Sequence, residues 1–136
     1  MKKRILIVDD EAFTMASMVD LLKDKGFAVE TATTLSQAEA SLRNRAFDGL
    51  IVDCVMATGH GFLDDQQAGI QLIERIRSGG SSLLESNREI PILVLTAVCD
   101  RETLSELNRA DVQGVFQKPV SPLELIENLN ALFSKR

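Results

Sequence analysis

The sequence predicts an α/β fold in which helices cover both faces of a parallel sheet. Two observations support this prediction. Short runs of aliphatic, often β-branched residues alternate with longer segments whose apolar residues recur every three or four positions. The alternation occurs five times, and strands that are separated by helices pair in parallel, with helices packed on both faces.

The amino-terminal third of the chain predicts two strands and the helix between them. Residues 5–8 (Ile-Leu-Ile-Val) form a continuous apolar run, which suits a strand covered on both faces. Residues 12–25 carry apolar side chains at helical spacing, and Gly26 ends this helix. Residues 27–32 alternate weakly between apolar and polar types, which predicts a second, shorter strand.

The central third predicts the second helix, the third strand and the third helix. Residues 34–37 (Thr-Leu-Ser-Gln) are a capping-box sequence that begins the second helix. Residues 48–53 form an apolar run that ends in a carboxylate and predicts a strand. The pattern then breaks, so residues 57–69 predict a loop, and the third helix settles only at about Gly69.

The last third predicts two strands and two helices. Residues 81–90 form a polar connection to a fourth strand over 92–96. A fourth helix covers 101–110, and residues 114–117 form a short fifth strand. Ser121 caps the last helix, because a proline and a glutamate follow it in the first turn.

Length and composition indicate one globular domain over residues 1–136. The chain is 45% apolar and 26% charged, which is ordinary for such a domain. Its net charge of −5 argues against direct nucleic-acid binding. No apolar window is long enough to cross a membrane, and residues 1–8 are too short in their apolar part for a signal peptide. We therefore expect a cytoplasmic protein.

Polar groups follow four of the five predicted strands. They are Asp9-Asp10, Asp53, Thr96-Ala97 and Lys118-Pro119. Because the carboxyl ends of parallel strands share one edge, we expect these groups to meet there. Close carboxylates repel one another unless a cation is present, and Mg²⁺ takes such oxygen ligands. A carboxylate in this setting is a workable nucleophile toward a phosphoryl group, whose charge Lys118, the Thr96 hydroxyl and the Ala97 N–H would stabilise.

These motifs resemble those of the receiver domain of two-component response regulators, over essentially the full chain. The resemblance rests on Asp9-Asp10, Asp53, Leu95-Thr96-Ala97 and Lys118-Pro119. It implies a single doubly wound (βα)5 domain with a chemotaxis-regulator-like, flavodoxin-like fold. In that fold the five-stranded parallel sheet has the order 2-1-3-4-5.

The resemblance also implies a role for each site residue. Asp53 is the expected phosphoacceptor. The expected ligands of Mg²⁺ (or Mn²⁺) are the side chains of Asp9, Asp10 and Asp53 and the backbone carbonyl of Val55. The groups expected to contact the phosphoryl group are Thr96, Ala97 and Lys118.

A receiver is a signalling switch that catalyses its own phosphorylation and dephosphorylation, rather than a turnover enzyme. The resemblance implies a histidine kinase or histidine phosphotransfer protein as the donor. The signal would pass to a downstream effector protein or domain through the face formed by the fourth helix, fifth strand and fifth helix. A phosphorylation-dependent dimer is compatible with this interpretation, whereas nucleic-acid or membrane binding is not expected.

Three features depart from the family pattern. The loop at 57–69 contains extra residues, including His60, and is either a tolerated surface insertion or a lid that reads a partner. Val115 replaces the usual aromatic residue three positions before Lys118, and the neighbouring Phe116 should turn to the opposite face and pack in the core.

The third departure concerns the loss of the phosphoryl group. Val55 and Val98 stand two positions beyond Asp53 and Thr96, and neither can orient an attacking water, which predicts slow spontaneous dephosphorylation. Cys54 and Cys99 follow neighbouring strands, where two buried thiols are favoured over a redox pair.

Three other functions compete with a phosphorylated receiver. A hydrolase of the haloacid dehalogenase type needs a second acid two positions after the nucleophile, where this chain has Val55. A nucleotide-binding module needs a glycine-rich phosphate loop after the first strand, where this chain has Asp-Asp-Glu. A degenerate receiver that acts as a phosphorylation-independent scaffold remains the main alternative.

Overall fold

Five parallel strands form one sheet in a computed structural model of the chain, which describes residues 2–9, 12–53, 56–57, 64–79, 83, 85–96, 101–117 and 120–134. The strands are β1 (Arg4–Val8), β2 (Ala28–Ala32), β3 (Gly49–Asp53), β4 (Ile92–Thr96) and β5 (Gly114–Gln117). They are hydrogen-bonded in the order β2-β1-β3-β4-β5, and every pairing is parallel. The predicted 2-1-3-4-5 sheet is confirmed.

Helices cover both faces of this sheet. They are α1 (Ala12–Asp24), α2 (Leu35–Asn44), α3 (Gln66–Ser78), α4 (Arg101–Arg109) and α5 (Pro122–Ser134). Alternate strand residues enter two apolar clusters, one with α2, α3 and α4 and the other with α1 and α5. Strands buried on both faces need apolar residues at every position, which explains the continuous runs in β1, β3 and β4. Within the described residues, no helix has the length and apolar character needed to span a membrane.

The predicted helix-end signals operate in the structure. Gly26, two residues after α1, has a φ of 94°, a left-handed conformation that glycine adopts without strain. The Thr34 hydroxyl accepts a hydrogen bond from the N–H of Gln37 at 3.2 Å, as the capping box predicts. The Gln37 side chain reaches one residue further back than predicted, to the N–H of Thr33 at 2.8 Å.

Two predicted strands begin one residue later than expected. Asp48, predicted to open the strand over 48–53, instead accepts the N–H of Arg4 on its carboxylate at 2.8 Å. In this way a side-chain carboxylate takes the place of a backbone carbonyl as the hydrogen-bond acceptor at the start of β1. Phe27, predicted to open the second strand, donates its N–H to the Leu22 carbonyl at 3.1 Å and so completes the turn after α1.

The helix α3 begins at Gln66, earlier than the predicted start near Gly69. Its first turn is polar, so the apolar periodicity becomes visible in the sequence only at Ile70. Before α3, Met56–Ala57 pairs with Asp64–Asp65 in an antiparallel ribbon of two residues a side. The predicted loop is therefore partly regular structure, and this ribbon joins the end of β3 to the start of α3.

The connection between α3 and β4 is anchored by one buried side chain. Asn87 lies in a short 3-10 turn and is completely shielded from solvent. Its side-chain oxygen accepts the N–H of Phe47 at 2.8 Å, and its amide group donates to the carbonyls of Leu42 and Arg45 at 2.9 and 2.8 Å. The connection that was predicted only as a polar segment is thus hydrogen-bonded, through Asn87, to the turn between α2 and β3.

Candidate functional site

Two aspartates lie side by side at the carboxyl edge of the sheet. Val8 of β1 is aligned with Val52 of β3, so the next residues, Asp9 and Asp53, lie at the same level on neighbouring strands. The N–H of Asp9 donates to the Ala32 carbonyl at 3.0 Å, which extends the pairing of β1 with β2 by one residue. Backbone pairing therefore fixes the position of both residues.

Thr96 ends the next strand one step further along. Asp53 is aligned with Leu95 across β3 and β4, and Thr96 is the residue after Leu95. Thr96 is in turn aligned with Gln117 at the end of β5, and Lys118 follows Gln117 in the sequence. Three neighbouring strands therefore each supply one oxygen-bearing side chain to a common edge.

Burial distinguishes these three residues from ordinary strand-end polar groups. The buried polar side chains among the described residues are Asp9, Glu39, Asp53, Asn87 and Thr96. Glu39 and Asn87 lie away from the carboxyl edge, where Glu39 forms ion pairs with Arg43 and Arg75, and Asn87 bonds to the backbone. The other three are the group at the carboxyl edge, with exposed fractions between 1% and 3%.

The two carboxylates belong to the same row of side chains. Ile7 and Ile51, two residues before each aspartate, both enter the apolar cluster of α1 and α5. Because side chains alternate along a strand, Asp9 and Asp53 continue this row. Each also takes part in a hydrogen bond or electrostatic interaction, as does Thr96. Neighbouring buried carboxylates repel one another, and a cation between them relieves the repulsion.

The donor atoms suit a hard divalent cation. Mg²⁺ binds through one or two carboxylates and retains several waters, so Asp9 and Asp53 meet its requirement. In the part of the chain that the structure describes, no group of three or more His, Cys, Asp or Glu side chains is placed to hold a metal. The third predicted acid, Asp10, lies outside the described residues, as does Val55 with its carbonyl.

Several other predicted features also lie outside the described residues. Ala97, Lys118 and Pro119 are the remaining members of the predicted site. His60, Val98 and the two cysteines, Cys54 and Cys99, fall in the same category. Their roles remain sequence-based predictions.

The two residues near the end of β5 face opposite sides of the sheet. Phe116 packs against the cluster of α1 and α5, and Val115 packs against the cluster of α2, α3 and α4. Both side chains are half-buried. Phe116 therefore turns away from the face of Val115, as predicted, and packs against the core while it remains partly exposed.

Sequence reasoning missed the ribbon that follows the third strand. Met56 is aligned with Asp65, and Ala57 with Asp64, only three and four residues after Asp53. Strands of two residues are too short to show any periodicity, so the sequence offered no pattern signal for them. The ribbon therefore adds an element beside the site that the family motifs do not include.

A cavity of about 620 Å³ lies away from this edge. It is lined by Arg77, Ser86, Arg88, Glu89 and Asp111, which come from the end of α3 and from the segments that precede β4 and β5. Those segments lie at the amino edge of the parallel sheet. Because Asp9, Asp53 and Thr96 lie at the carboxyl edge, this cavity does not belong to the candidate site.

Comparison with known proteins identifies the family. The profile of the response regulator receiver domain matches residues 5–130. The chain is 31% identical over 133 residues to the two-component response regulator PprB of Pseudomonas aeruginosa, which covers 96% of this chain and 44% of that protein. It is 30% identical over 133 residues to the chemotaxis protein CheY-3 of Vibrio cholerae, covering 97% of this chain and 92% of that protein. The chain thus spans less than half of the first relative and most of the second.

Solved structures of receiver domains share the fold. A CheY-like receiver domain protein from Methanospirillum hungatei superimposes with a TM-score of 0.83 at 23% identity, covering 99% of this chain and 96% of that one. The receiver domain of the sensor histidine kinase PA1611 from Pseudomonas aeruginosa superimposes with a TM-score of 0.75 at 24% identity, covering 96% of this chain and 97% of that one. That structure holds a magnesium ion in its active site cleft. The family profile, the relatives and the shared fold agree, and the chain belongs to the response regulator receiver domain family.

Proposed function

We propose that this chain is a phosphoryl-accepting switch of a two-component phosphorelay, with Asp53 as the phosphoacceptor. The observation that supports it most is the burial of Asp9, Asp53 and Thr96 at one edge of three neighbouring strands. Membership of the receiver family supports a histidine kinase or histidine phosphotransfer protein as the donor and a downstream effector as the recipient of the signal. By class this is a switch rather than a turnover enzyme, and we expect it to act in the cytoplasm.

The proposed reaction is an in-line displacement at phosphorus. A carboxylate oxygen of Asp53 forms the new O–P bond while the P–N bond to the donor histidine breaks, and the histidine nitrogen leaves with the electron pair. The Thr96 hydroxyl donates a hydrogen bond to a phosphoryl oxygen, and Lys118 supplies a positive charge beside it. Because Asp53 is only 3% exposed, these interactions operate away from bulk water, where they are stronger.

The side chains of Asp9, Asp10 and Asp53, with the carbonyl of Val55, would hold Mg²⁺ or Mn²⁺. When bound, the cation neutralises charge on the phosphoryl oxygens. Asp9 lies level with Asp53 on the next strand, so its carboxylate would hold the cation next to the carboxylate of Asp53. The magnesium ion in the active site cleft of the PA1611 receiver domain supports a divalent cation at this site.

A phosphorylation-independent scaffold is the alternative function. The choice between the two functions depends on the two carboxylates that lie side by side at the carboxyl edge of the sheet. A scaffold does not require two acidic side chains at this edge of the sheet, whereas a metal-dependent phosphoacceptor site does. The pair of Asp9 and Asp53 therefore favours the switch.

Incubation with acetyl phosphate tests the proposal, with intact mass as the readout. In the presence of Mg²⁺ we expect a gain of one phosphoryl group, and with excess EDTA we expect none. Equal uptake under both conditions would contradict the metal-dependent mechanism. An unmodified mass with Mg²⁺ present would favour the scaffold.

Slow dephosphorylation is a second expected property. Val55 and Val98 occupy the two positions from which a polar side chain could orient an attacking water. We expect the phosphorylated protein, desalted from its donor, to keep its added mass for minutes or longer. A Val55→Asn variant should lose it faster, and decay of the unmodified protein within seconds would contradict the prediction.

Output would reach partners through two elements near the site. Asp53 precedes the Met56–Ala57 strand of the ribbon by only three residues in the sequence. The other strand of the ribbon leads directly into α3. We propose that the ribbon contributes to partner recognition, together with the face of α4, β5 and α5. Since Val115 replaces the usual aromatic residue and Phe116 packs on the opposite face, aromatic rotation at position 115 does not operate here. A phosphorylation-dependent dimer is a further expectation for this face.

A further inference from the structure

A shallow cleft of about 400 Å³ lies at the amino edge of the sheet. Its lining includes three lysines and two aromatic residues, Lys2, Lys3, Lys25, Phe27 and Phe133. Lys3 directly precedes β1, whereas Asp53 ends the neighbouring parallel strand β3. This basic cleft therefore lies at the opposite edge of the sheet from Asp53.

Backbone hydrogen bonds fix the two segments that carry the lysines. The carbonyl of Lys3 accepts the N–H of Ala28 at 2.9 Å, which joins the start of β1 to the start of β2. The N–H of Lys25 donates to the carbonyls of Leu21 and Leu22 at 3.1 Å, in the turn that leads from α1 to β2. The fold therefore brings the positive charges together from separate parts of the chain.

Acidic side chains do not balance the charge of the basic cleft. The lining residues that the structure describes include no aspartate or glutamate. Within the described part of the chain, none of the ion pairs involves a lysine. In the sequence, two further basic residues, Lys135 and Arg136, follow α5 directly. Since the whole chain has a net charge of −5, a cleft whose charged lining residues are all lysines contrasts with the rest of the protein.

Helix ends offset only part of this positive charge. The carboxyl-terminal ends of α1 and α5 adjoin the cleft, and each carries roughly half a unit of negative charge on its free carbonyls. The charges of Lys23 and Asp24, at the end of α1, cancel one another. About one unit of negative charge thus faces three ammonium groups, so the cleft keeps a net positive charge.

The aromatic residues of the cleft indicate which kind of anion fits. Phe27 is only 6% exposed, and its ring packs against that of Phe133 with the centroids 6.0 Å apart. The Lys3 ammonium lies over the Phe133 ring, 5.5 Å from its centroid. Because the rings already contact one another and a lysine, they are poorly placed to stack on the bases of a nucleic acid.

A membrane surface is also a poor match for the cleft. Among the described residues, the large hydrophobic side chain that is exposed is Leu123. It lies in the first turn of α5, at the opposite end of that helix from Phe133. The cleft therefore has no apolar anchor beside its charges, and the carboxylates of a peptide remain the anions that match it.

We infer that the basic cleft is a docking site for an acidic segment of a partner protein, whose carboxylates pair with Lys2, Lys3 and Lys25. All three lysines are exposed, and their flexible stems adapt to carboxylates at different spacings along an extended peptide. Each exposed ion pair contributes little and is screened by salt, so binding is weak and sensitive to ionic strength. Docking does not depend on phosphorylation, because the cleft and Asp53 lie at opposite edges of the sheet.

Titration with acetylated hexaglutamate amide, followed by ¹H–¹⁵N NMR at low ionic strength, tests the site. We expect saturable shifts confined to the cleft residues, with a dissociation constant on the order of 0.1–1 mM. Hexaglutamine has the same length without the charges and should not bind. Raising the salt concentration from about 0.02 M to about 0.5 M should weaken hexaglutamate binding by about tenfold, because the Debye length becomes shorter.

Charge reversal locates the binding at the cleft. The Lys3→Glu and Lys25→Glu variants should each weaken hexaglutamate binding by about tenfold. Arg101→Glu makes the same change in net charge at an exposed position on α4, and it should alter binding by less than about twofold. Far-UV circular dichroism checks that all three variants are folded. The Asp53→Asn variant should bind hexaglutamate as the unmodified protein does.

Several results would overturn the proposal. They are the absence of hexaglutamate binding by the folded protein, and binding that both the Lys3→Glu and the Lys25→Glu variants retain in full. Tighter binding of an oligothymidylate of six nucleotides would assign the cleft to nucleic acid instead. Tighter binding of vesicles that contain phosphatidylserine would assign it to a membrane surface.

Discussion

The Asp53→Asn variant is expected to gain no phosphoryl group from acetyl phosphate and Mg²⁺, whereas the unmodified protein gains one. An asparagine side chain has almost the same shape, but its amide is not a nucleophile toward phosphorus. Asp53 is 3% exposed and lies level with Asp9, so no other residue replaces its oxygen at the same point. Intact mass spectrometry distinguishes the two outcomes directly.

A matched control separates the chemistry from folding. Asp20→Asn changes an exposed aspartate on α1 and should leave phosphoryl uptake unaltered. Far-UV circular dichroism of the Asp53→Asn variant should match that of the unmodified protein, because the two side chains have almost the same shape. Uptake by a folded Asp53→Asn variant at the normal rate would contradict the assignment.

Replacing Asn87 with alanine is expected to lower the stability of the domain substantially. The side chain is fully buried and makes three hydrogen bonds to the backbone around the turn between α2 and β3. Its removal leaves the N–H of Phe47 and two carbonyls without their partners, which should lower the free energy of unfolding by about 3 kcal/mol. Denaturant unfolding followed by circular dichroism measures the change.

Asn128→Ala is the control for this substitution. Asn128 lies on the exposed side of α5 and donates one hydrogen bond, to the Glu124 carbonyl at 2.8 Å. Its replacement should change the free energy of unfolding by no more than about 0.5 kcal/mol. If Asn87→Ala cost no more than Asn128→Ala, the anchoring role of Asn87 would be wrong.

The sheet was predictable because its strands are buried on both faces. A buried central strand such as β1 or β3 needs an apolar residue at every position, and such runs are visible in a sequence without any knowledge of neighbours. The meeting of polar residues at the carboxyl edge was predictable from the topology, because strands that alternate with helices run parallel and end at the same edge of the sheet. Asp9, Asp53 and Thr96 could therefore be expected at one edge before any distance was known.

The features that escaped prediction depend on contacts between distant segments. Asn87 looks like a surface residue in a polar connection, and its burial follows only from the position of the Phe47 turn, 40 residues away. The ribbon has two residues a side, too few for a periodic signal.

Chemical trapping of the acyl phosphate tests the central claim most directly. Borohydride reduces an aspartyl phosphate to homoserine, which marks the modified residue permanently. After incubation with acetyl phosphate and Mg²⁺, reduction and proteolysis, peptide mass spectrometry should find homoserine at position 53 and at no other aspartate. Homoserine at Asp9 or at another position, or no homoserine in a fully folded protein, would contradict the assignment of Asp53 as the phosphoacceptor.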